Sequence, residues 1–364
     1  MKNSANEQQY YDWQRTFSYN APLTIVVGAR GIGKTYGLRK ACLKDFLKDG
    51  SRYVEVFRTK AAARVAAPGY FDKIALDDDF TDWEFKSDAT GGYMKPRGSG
   101  KKVKFQRVCY FVPMTAAQQK KQATFARVKR IFFDEFILDR SVPFARYMPG
   151  EFSRFGNIID TVTRQRAGDG TAPRAYLLGN AVDLINPYFT ALGISEPPKP
   201  GYTWHAGKRV LVHSAVQSES DAAAKLDSTL AGMILDIAGD EAEIASATQN
   251  VFTPKGDTFV DRKAKVAYPL VSLVWRGIGV TLWARIGEGP YYHIRKGISE
   301  ELKKQGRVYY FSKDDARIDY RAARRAEKSL RWIADALAHG KITTETPAEF
   351  ETLTEVVNYL GLSI

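Results

Sequence analysis

At 364 residues the chain is long enough for two domains, each with its own core. Its 54 Lys and Arg against 41 Asp and Glu leave a net charge of +13, which suggests a polyanionic partner. No apolar run approaches the ~20 residues of a membrane span. The opening Met1-Lys-Asn-Ser-Ala-Asn is too polar for a secretory leader, and Cys42, Cys109 and four histidines form no disulfide framework or zinc cluster. A reducing, cytoplasmic setting without a membrane fits.

Residues 1–20 are polar and aromatic, with Tyr10, Tyr11, Trp13, Phe17 and Tyr19 ahead of the first strand. Such rings can flank a nucleotide base or simply pack over a sheet edge. Leu23-Thr-Ile-Val-Val27 is a short β-branched run, the pattern of a buried parallel strand. Gly28-Ala-Arg-Gly-Ile-Gly-Lys-Thr35 then fits G-x-x-x-x-G-K-[ST] without a mismatch. Glycines let consecutive N–H groups curl toward one phosphate, and the following helix adds its positive end. Gly28, Ala29, Arg30, Gly31, Ile32, Gly33, Lys34 and Thr35 are therefore the expected ATP-binding loop. Lys34 would reach the β- and γ-phosphates, and the Thr35 hydroxyl would hold Mg²⁺.

Tyr53–Phe57 reads as a second strand, followed by Arg58. Residues 68–92 show turns and no clear period. Residues 95–104 form a basic, glycine-containing turn of hairpin type, and Val103 to Val112 is the next strand. Lys120 and Lys121 stand in a polar, basic loop that could touch phosphates. Arg130-Ile-Phe-Phe-Asp134-Glu135 is an apolar strand ending in two carboxylates, the Walker B pattern. Asp134 would hold Mg²⁺ through its water shell, and Glu135 would polarise the attacking water. Glu151 to Val162 has helical spacing and runs into Arg164 and Arg166, either of which could act as an arginine finger. Ala175–Leu178 is a further buried strand. It ends at Gly179-Asn180, where a polar side chain lies beside the phosphates.

Four blocks in this order carry a resemblance: Gly28–Thr35, Phe133–Phe136, Asp160-Thr-Val-Thr-Arg164-Gln-Arg166, and Asn180-Ala-Val-Asp-Leu-Ile-Asn-Pro-Tyr-Phe189. Together they resemble the DNA-packaging motor ATPase, or encapsidation protein, of phi29-type tailed bacteriophages. The match covers about residues 17–213 well and the rest loosely. It implies an α/β, RecA-like P-loop ATPase domain of the catalytic-glutamate division. It also implies a homomeric ring, a pentamer in this family, acting with the portal connector; whether a scaffold RNA takes part is left open by the residues. That ring would work in the host cytoplasm, transiently at the portal vertex of the procapsid, and drive double-stranded DNA inward. By position, Glu135 is then the catalytic glutamate and Arg164 the trans-acting finger. Lys121 lies in the DNA-facing loop. Arg58 is an arginine that pairs with Glu135 before hydrolysis, and Gly179 replaces a serine, so that Asn180 senses the phosphate alone.

Ser195–Gly201 is a stiff connector, Lys208–His213 another strand, and residues 214–250 a helical linker. The expected organisation is an ATPase domain over 1–213, that linker, and a smaller α+β C-terminal domain over 251–364 that binds nucleic acid or portal. Tyr268–Gly277, Val280–Ile286 and Pro290–Ile294 read as a β-meander. The resemblance makes this domain a degenerate RNase H-like fold. Residues 270–286 hold no Asp or Glu, so no nuclease is expected. Arg317, Arg321, Arg324, Arg325, Lys328 and Arg331 fall on one helical face, with Leu330, Ile333 and Leu337 opposite. Arg321, Arg324 and Arg325 are candidate DNA contacts. The leading function is ATP-driven translocation of duplex DNA into a preformed capsid. The alternatives are a single-strand helicase and an ATP-gated assembly protein without turnover.

Overall fold

The computed structural model describes residues 11–116, 125–138, 147–148, 150–164, 172–180, 186–194, 197–215, 261, 263–275, 277–287, 290–311, 330–337 and 339–360. Lys120, Lys121, Arg166, Arg321, Arg324 and Arg325 lie outside them, as does nearly all of the expected 214–250 linker. The chain divides into two compact units. One comprises Met1–Leu138, Gly150–Val182 and Pro198–Val251, the other Asp139–Pro149, Asp183–Pro197 and Phe252–Ile364. Two short segments, 139–149 and 183–197, are thus grouped with the C-terminal unit and not with the residues that flank them.

The first unit is built on a nine-stranded sheet ordered β3-β4-β5-β2-β6-β7-β1-β9-β8. Its parallel strands are β1 (Leu23–Gly28), β2 (Arg52–Phe57), β5 (Gln106–Pro113), β6 (Val128–Asp134), β7 (Arg174–Gly179) and β9 (Val210–Ala215). The antiparallel strands β3 (Trp83–Asp88) and β4 (Gly91–Pro96) extend one edge, and β8 (Gly201–His205) extends the other. Ile25, Val26 and Val27 of β1 are fully buried. Burial of each such side chain contributes about 1.5–3 kcal/mol, which explains a strand that is apolar on both faces. Helices α1 (Trp13–Ser18), α2 (Lys34–Asp49), α3 (Lys60–Ala66), α4 (Asp72–Ala75) and α5 (Glu151–Arg164) complete this unit. On α2, Leu38, Cys42 and Leu43 face the core, and Gly50 ends the helix in the left-handed region.

β7 lies between β1 and β6, in register with both: Leu177 faces Ile25 on one side and Phe133 on the other. The phosphate loop after β1, Asp134 at the end of β6 and Asn180 after β7 therefore emerge at the same edge of the sheet. This is where the sheet's parallel order places a site.

The second unit holds a five-stranded sheet ordered β13-β10-β11-β12-β14. β10 (Val266–Trp275), β11 (Ile278–Arg285) and β12 (Tyr292–Lys296) form the antiparallel meander expected from the sequence. β13 (Val308–Tyr310) runs parallel to β10, and β14 (Ile342–Thr344) parallel to β12. One face packs Leu273, Val280, Leu282 and Ile294 against Leu330, Ile333 and Leu337 of the helical residues 330–337, the apolar side of the expected basic helix. Helices α6 (Pro187–Leu192), α7 (Glu300–Lys304) and α8 (Pro347–Tyr359) also belong here, and α6 packs with α8. The Asn-Pro-Tyr-Phe stretch opens α6: buried Asn186 accepts hydrogen bonds from the Tyr188 and Phe189 amides, with Pro187 in the first turn.

Candidate active site

The loop between β1 and α2 turns through two left-handed residues, Gly31 (φ 83°) and Gly33 (φ 80°). A side chain at either would be strained there, which is why the spacing needs glycine. Trp13 braces the loop from behind, its indole N–H donating to the Lys34 carbonyl at 2.9 Å, and the Tyr11 amide donates to the Ile32 carbonyl at 2.9 Å. Trp13 is buried, so this ring packs behind the loop.

Lys34 is 7% exposed. Its ammonium donates to the Gly28 and Ala29 carbonyls, each at 2.8 Å, and to Asn180 Oδ1 at 3.2 Å. A buried cation thus sits at the loop's mouth, tied to the residue after β7. The Thr35 hydroxyl donates to Asp134 Oδ2 at 2.7 Å, and the Glu135 amide donates to Asp134 Oδ1 at 3.0 Å. Thr35 and Asp134 together present hard oxygen donors side by side, the donor type that Mg²⁺ selects. Glu135 has φ 57°, in the left-handed region, and its side chain is exposed. Gly179 is fixed by its neighbours: a Cβ there would come within 2.9 Å of the Phe136 ring and 3.2 Å of Ile137. A serine at this position would collide with the residues that follow Glu135.

These groups line one cleft of about 790 Å³, together with Arg30, Tyr36, Lys73 and Leu76. That volume suits a nucleotide-sized ligand. The last three residues carry no site signal in the sequence. Tyr36 and Lys40 on α2 both donate to Asp77, which follows Leu76 and so fastens this wall to the phosphate-loop helix. Burial works against the Asp77 charge, but the hydrogen bonds from Lys40 and Tyr36 outweigh it and hold the carboxyl below its ordinary pKa.

Arg58 lies against the main chain of Glu135. Its guanidinium donates to the Glu151 carboxylate at 2.9–3.0 Å and to the main-chain carbonyls of Glu135 (3.3 Å) and Phe136 (3.1 Å). It holds the backbone of the Asp134–Phe136 segment, and it forms an ion pair with the fully buried Glu151 at the start of α5. A lone acid at a helix start gives no signal in the sequence beyond favourable dipole placement. At the other end of α5, Arg164 is 69% exposed and pairs with Asp160 one turn back. The structure therefore brings Lys34, Thr35, Asp134, Glu135 and Asn180 together, places Arg58 directly behind them, and leaves Arg164 at the surface. Among the described residues no group of His, Cys, Asp and Glu forms a separate metal site, and no helix is long and apolar enough to cross a membrane.

Comparison with known proteins gives the same family that the four blocks suggested. A DNA packaging protein of Bacillus phage B103 is 30% identical over 266 residues, covering 73% of this chain and 75% of the relative. One from Bacillus phage phi29 is 28% identical over 284 residues, 78% of each. The fold is shared with a chain of the bacteriophage phi29 viral genome packaging motor assembly. That likeness has a TM-score of 0.62 at 23% identity and covers 97% of this chain and 99% of that one. A chain of the phi28 gp11 DNA packaging motor gives 0.64 at 20% identity, covering 98% and 100%. The family model described as podovirus DNA encapsidation protein (Gp16) matches residues 5–347, and the chain belongs to that family.

Proposed function

We propose that this chain is a motor ATPase that uses ATP hydrolysis to drive double-stranded viral DNA into a preformed capsid. The observation that carries the reading is the hydrogen bond of Thr35 to Asp134 at 2.7 Å, beside Glu135 and opposite Lys34 and Asn180. A bare nucleotide-binding fold needs no exposed acid one residue beyond the metal-side aspartate. The position of β7 between β1 and β6 supports a RecA-like sheet of the catalytic-glutamate division. Lys34 and the loop amides bind the β- and γ-phosphates, Asn180 orients the γ-phosphate and water, and Glu135 accepts the proton of the attacking water. Thr35 and Asp134 would hold Mg²⁺, which would supply neutralisation of the phosphate charge. Arg164 is exposed on its own subunit and suits action on a neighbour's nucleotide in a homomeric ring. Family membership supports a pentamer working at the portal in the host cytoplasm, with DNA gripped by Lys120 and Lys121 or by Arg321, Arg324 and Arg325.

The C-terminal sheet is proposed as a degenerate RNase H-like binding lobe. The meander with β13 parallel to its first strand supports the relation, whereas β14 lies beside β12 on the opposite edge. On the sheet face opposite the apolar core, Ser272 and Thr281 share a 2.7 Å hydrogen bond, and His293 and Arg295 follow on the next strand. β10, β11 and β12 carry no Asp or Glu on either face, whereas a two-metal nuclease needs clustered carboxylates on its central strands.

One experiment reads both claims. Phosphate release is followed with supercoiled plasmid or single-stranded DNA, and the plasmid is then examined for nicks. Duplex should stimulate turnover, and the plasmid should remain intact. Stimulation by single strands alone, or metal-dependent nicking that disappears on deleting residues 252–364, would contradict the respective claim.

A further inference from the structure

The far edge of the large sheet carries charge that the nucleotide cleft does not use. Residues 83–110, spanning β3 to the middle of β5, hold seven cations against two carboxylates, Glu84 and Asp88. The register sets Lys86 opposite Tyr93 and Tyr93 opposite Arg107, a ladder across three strands. Cations and rings interleave along it. The Lys86 ammonium lies 5.2 Å from the Tyr93 centroid and 4.7 Å from that of Phe105, and Lys95 lies 5.1 Å from Phe105. The Arg107 guanidinium lies 4.7 Å from Tyr93 and 5.1 Å from Tyr110. Glu84 is already engaged by Lys95 at 3.1 Å, and Asp88 accepts from Thr90 and the Gly91 amide. Arg107 donates to neutral oxygens of Thr90 and Tyr93. Three of the seven, Lys101, Lys102 and Lys104, stand exposed in the turn that joins β4 to β5.

The excess of cations over carboxylates along this edge leaves net positive charge that attracts a polyanion laid across it. The rings are covered by the cations, so they offer no open platform for unstacked bases. What the face presents is charge at fixed spacing, which suits the backbone of a duplex rather than a single strand. It is also remote from the cleft. β4 and β1 are separated by five strand intervals, or roughly 24 Å at ~4.8 Å each. The β4–β5 turn lies at the start of β5, whereas the phosphate loop follows the end of β1.

We propose that this basic–aromatic face binds the phosphate backbone of duplex DNA, separately from the nucleotide cleft; the proposal rests on the reading of the chain as a DNA motor. The test uses the full chain and a short labelled duplex over a range of salt. Lys101→Ala, Lys102→Ala and Lys104→Ala are combined in one variant, and Lys86→Gln with Arg107→Gln in a second. The first lies in an exposed turn, so retained ATP binding and DNA-free turnover check its fold. Duplex affinity should fall in both variants. The salt slope of log affinity should shrink by roughly 0.9 for each phosphate no longer neutralised, or roughly 2–3 for the triple change. Affinity for single strands should change little. Unchanged duplex affinity and slope in both variants overturn the proposal, as does selective loss of binding to an RNA duplex with DNA binding retained. Wild-type protein that neither binds duplex nor responds to it in turnover overturns the motor reading itself, and this inference with it. A DNA-responsive wild type with indistinguishable variants overturns this inference alone.

Discussion

Glu135 sits in a backbone conformation that costs about 1–3 kcal/mol for a residue with a side chain, at φ 57°. Its surroundings hold it there: its amide is bound to Asp134, its carbonyl accepts from Arg58, and Phe136 is buried beside Gly179. Arg58 also grips Glu151. The thirteen residue steps of α5 from Glu151 to Arg164 span ~20 Å at ~1.5 Å each, so the segment carrying the proposed base is joined through one ion pair to the helix carrying the proposed finger. Arg164→Ala should lower turnover by about 10³-fold if Arg164 stabilises transition-state charge. Its ion pair with Asp160 is exposed, so the fold should survive the change. Mixing Arg164→Ala with Lys34→Ala subunits should restore part of the activity, because one intact interface can form. Mixed rings as inactive as either parent would contradict action between subunits, and a comparable loss of activity in Arg166→Ala alone would move the finger to that residue.

The C-terminal sheet offers a test at the scale of an element. His293 on β12 is fully buried, with Nδ1 at 2.9 Å from the Thr343 hydroxyl on β14. Burial, helped by Arg295 and Arg285 and opposed by Asp261, pushes its pKa down to about 4. The unfolded chain therefore takes up a proton near pH 6.5 that the folded sheet refuses, and stability is lost as pH falls from about 6.5 toward 4. His213 on β9, stacked 3.8 Å from the Tyr202 ring, is also lowered to about 4 by burial and Arg15. Chemical denaturation at pH 7 and pH 5 should show the drop, and His293→Gln should shrink it. An unchanged difference in His293→Gln would mean that His293 takes its proton without leaving the fold. The elements that the sequence revealed were those with unambiguous pattern. β1, β6 and β7 are continuous apolar runs, α5 has helical period, and the C-terminal meander has long β-rich strands. β3, β8, β13 and β14 escaped because they are short, half-buried or set among turn residues, and tertiary pairing rather than local preference makes them strands. In the site, Lys34, Thr35, Asp134, Glu135 and Asn180 were readable because fixed spacing ties each to a strand end. Glu151, Lys73 and Leu76 enter from segments whose placement only the folded chain decides.

At the scale of the whole molecule, family membership and the cleft support the central proposal, that ATP hydrolysis with Glu135 as the base moves duplex DNA into the capsid. The Glu135 side chain is exposed, so Glu135→Gln should fold and bind ATP and DNA as the wild type does while lacking the base. The most direct measurement is packaging itself. Purified protein, procapsids carrying their portal, duplex genome and ATP are combined, and the DNA protected from added nuclease is measured. The wild type should protect genome-length DNA, and Glu135→Gln should protect none despite bound nucleotide. Protection by Glu135→Gln at the wild-type level would contradict the account.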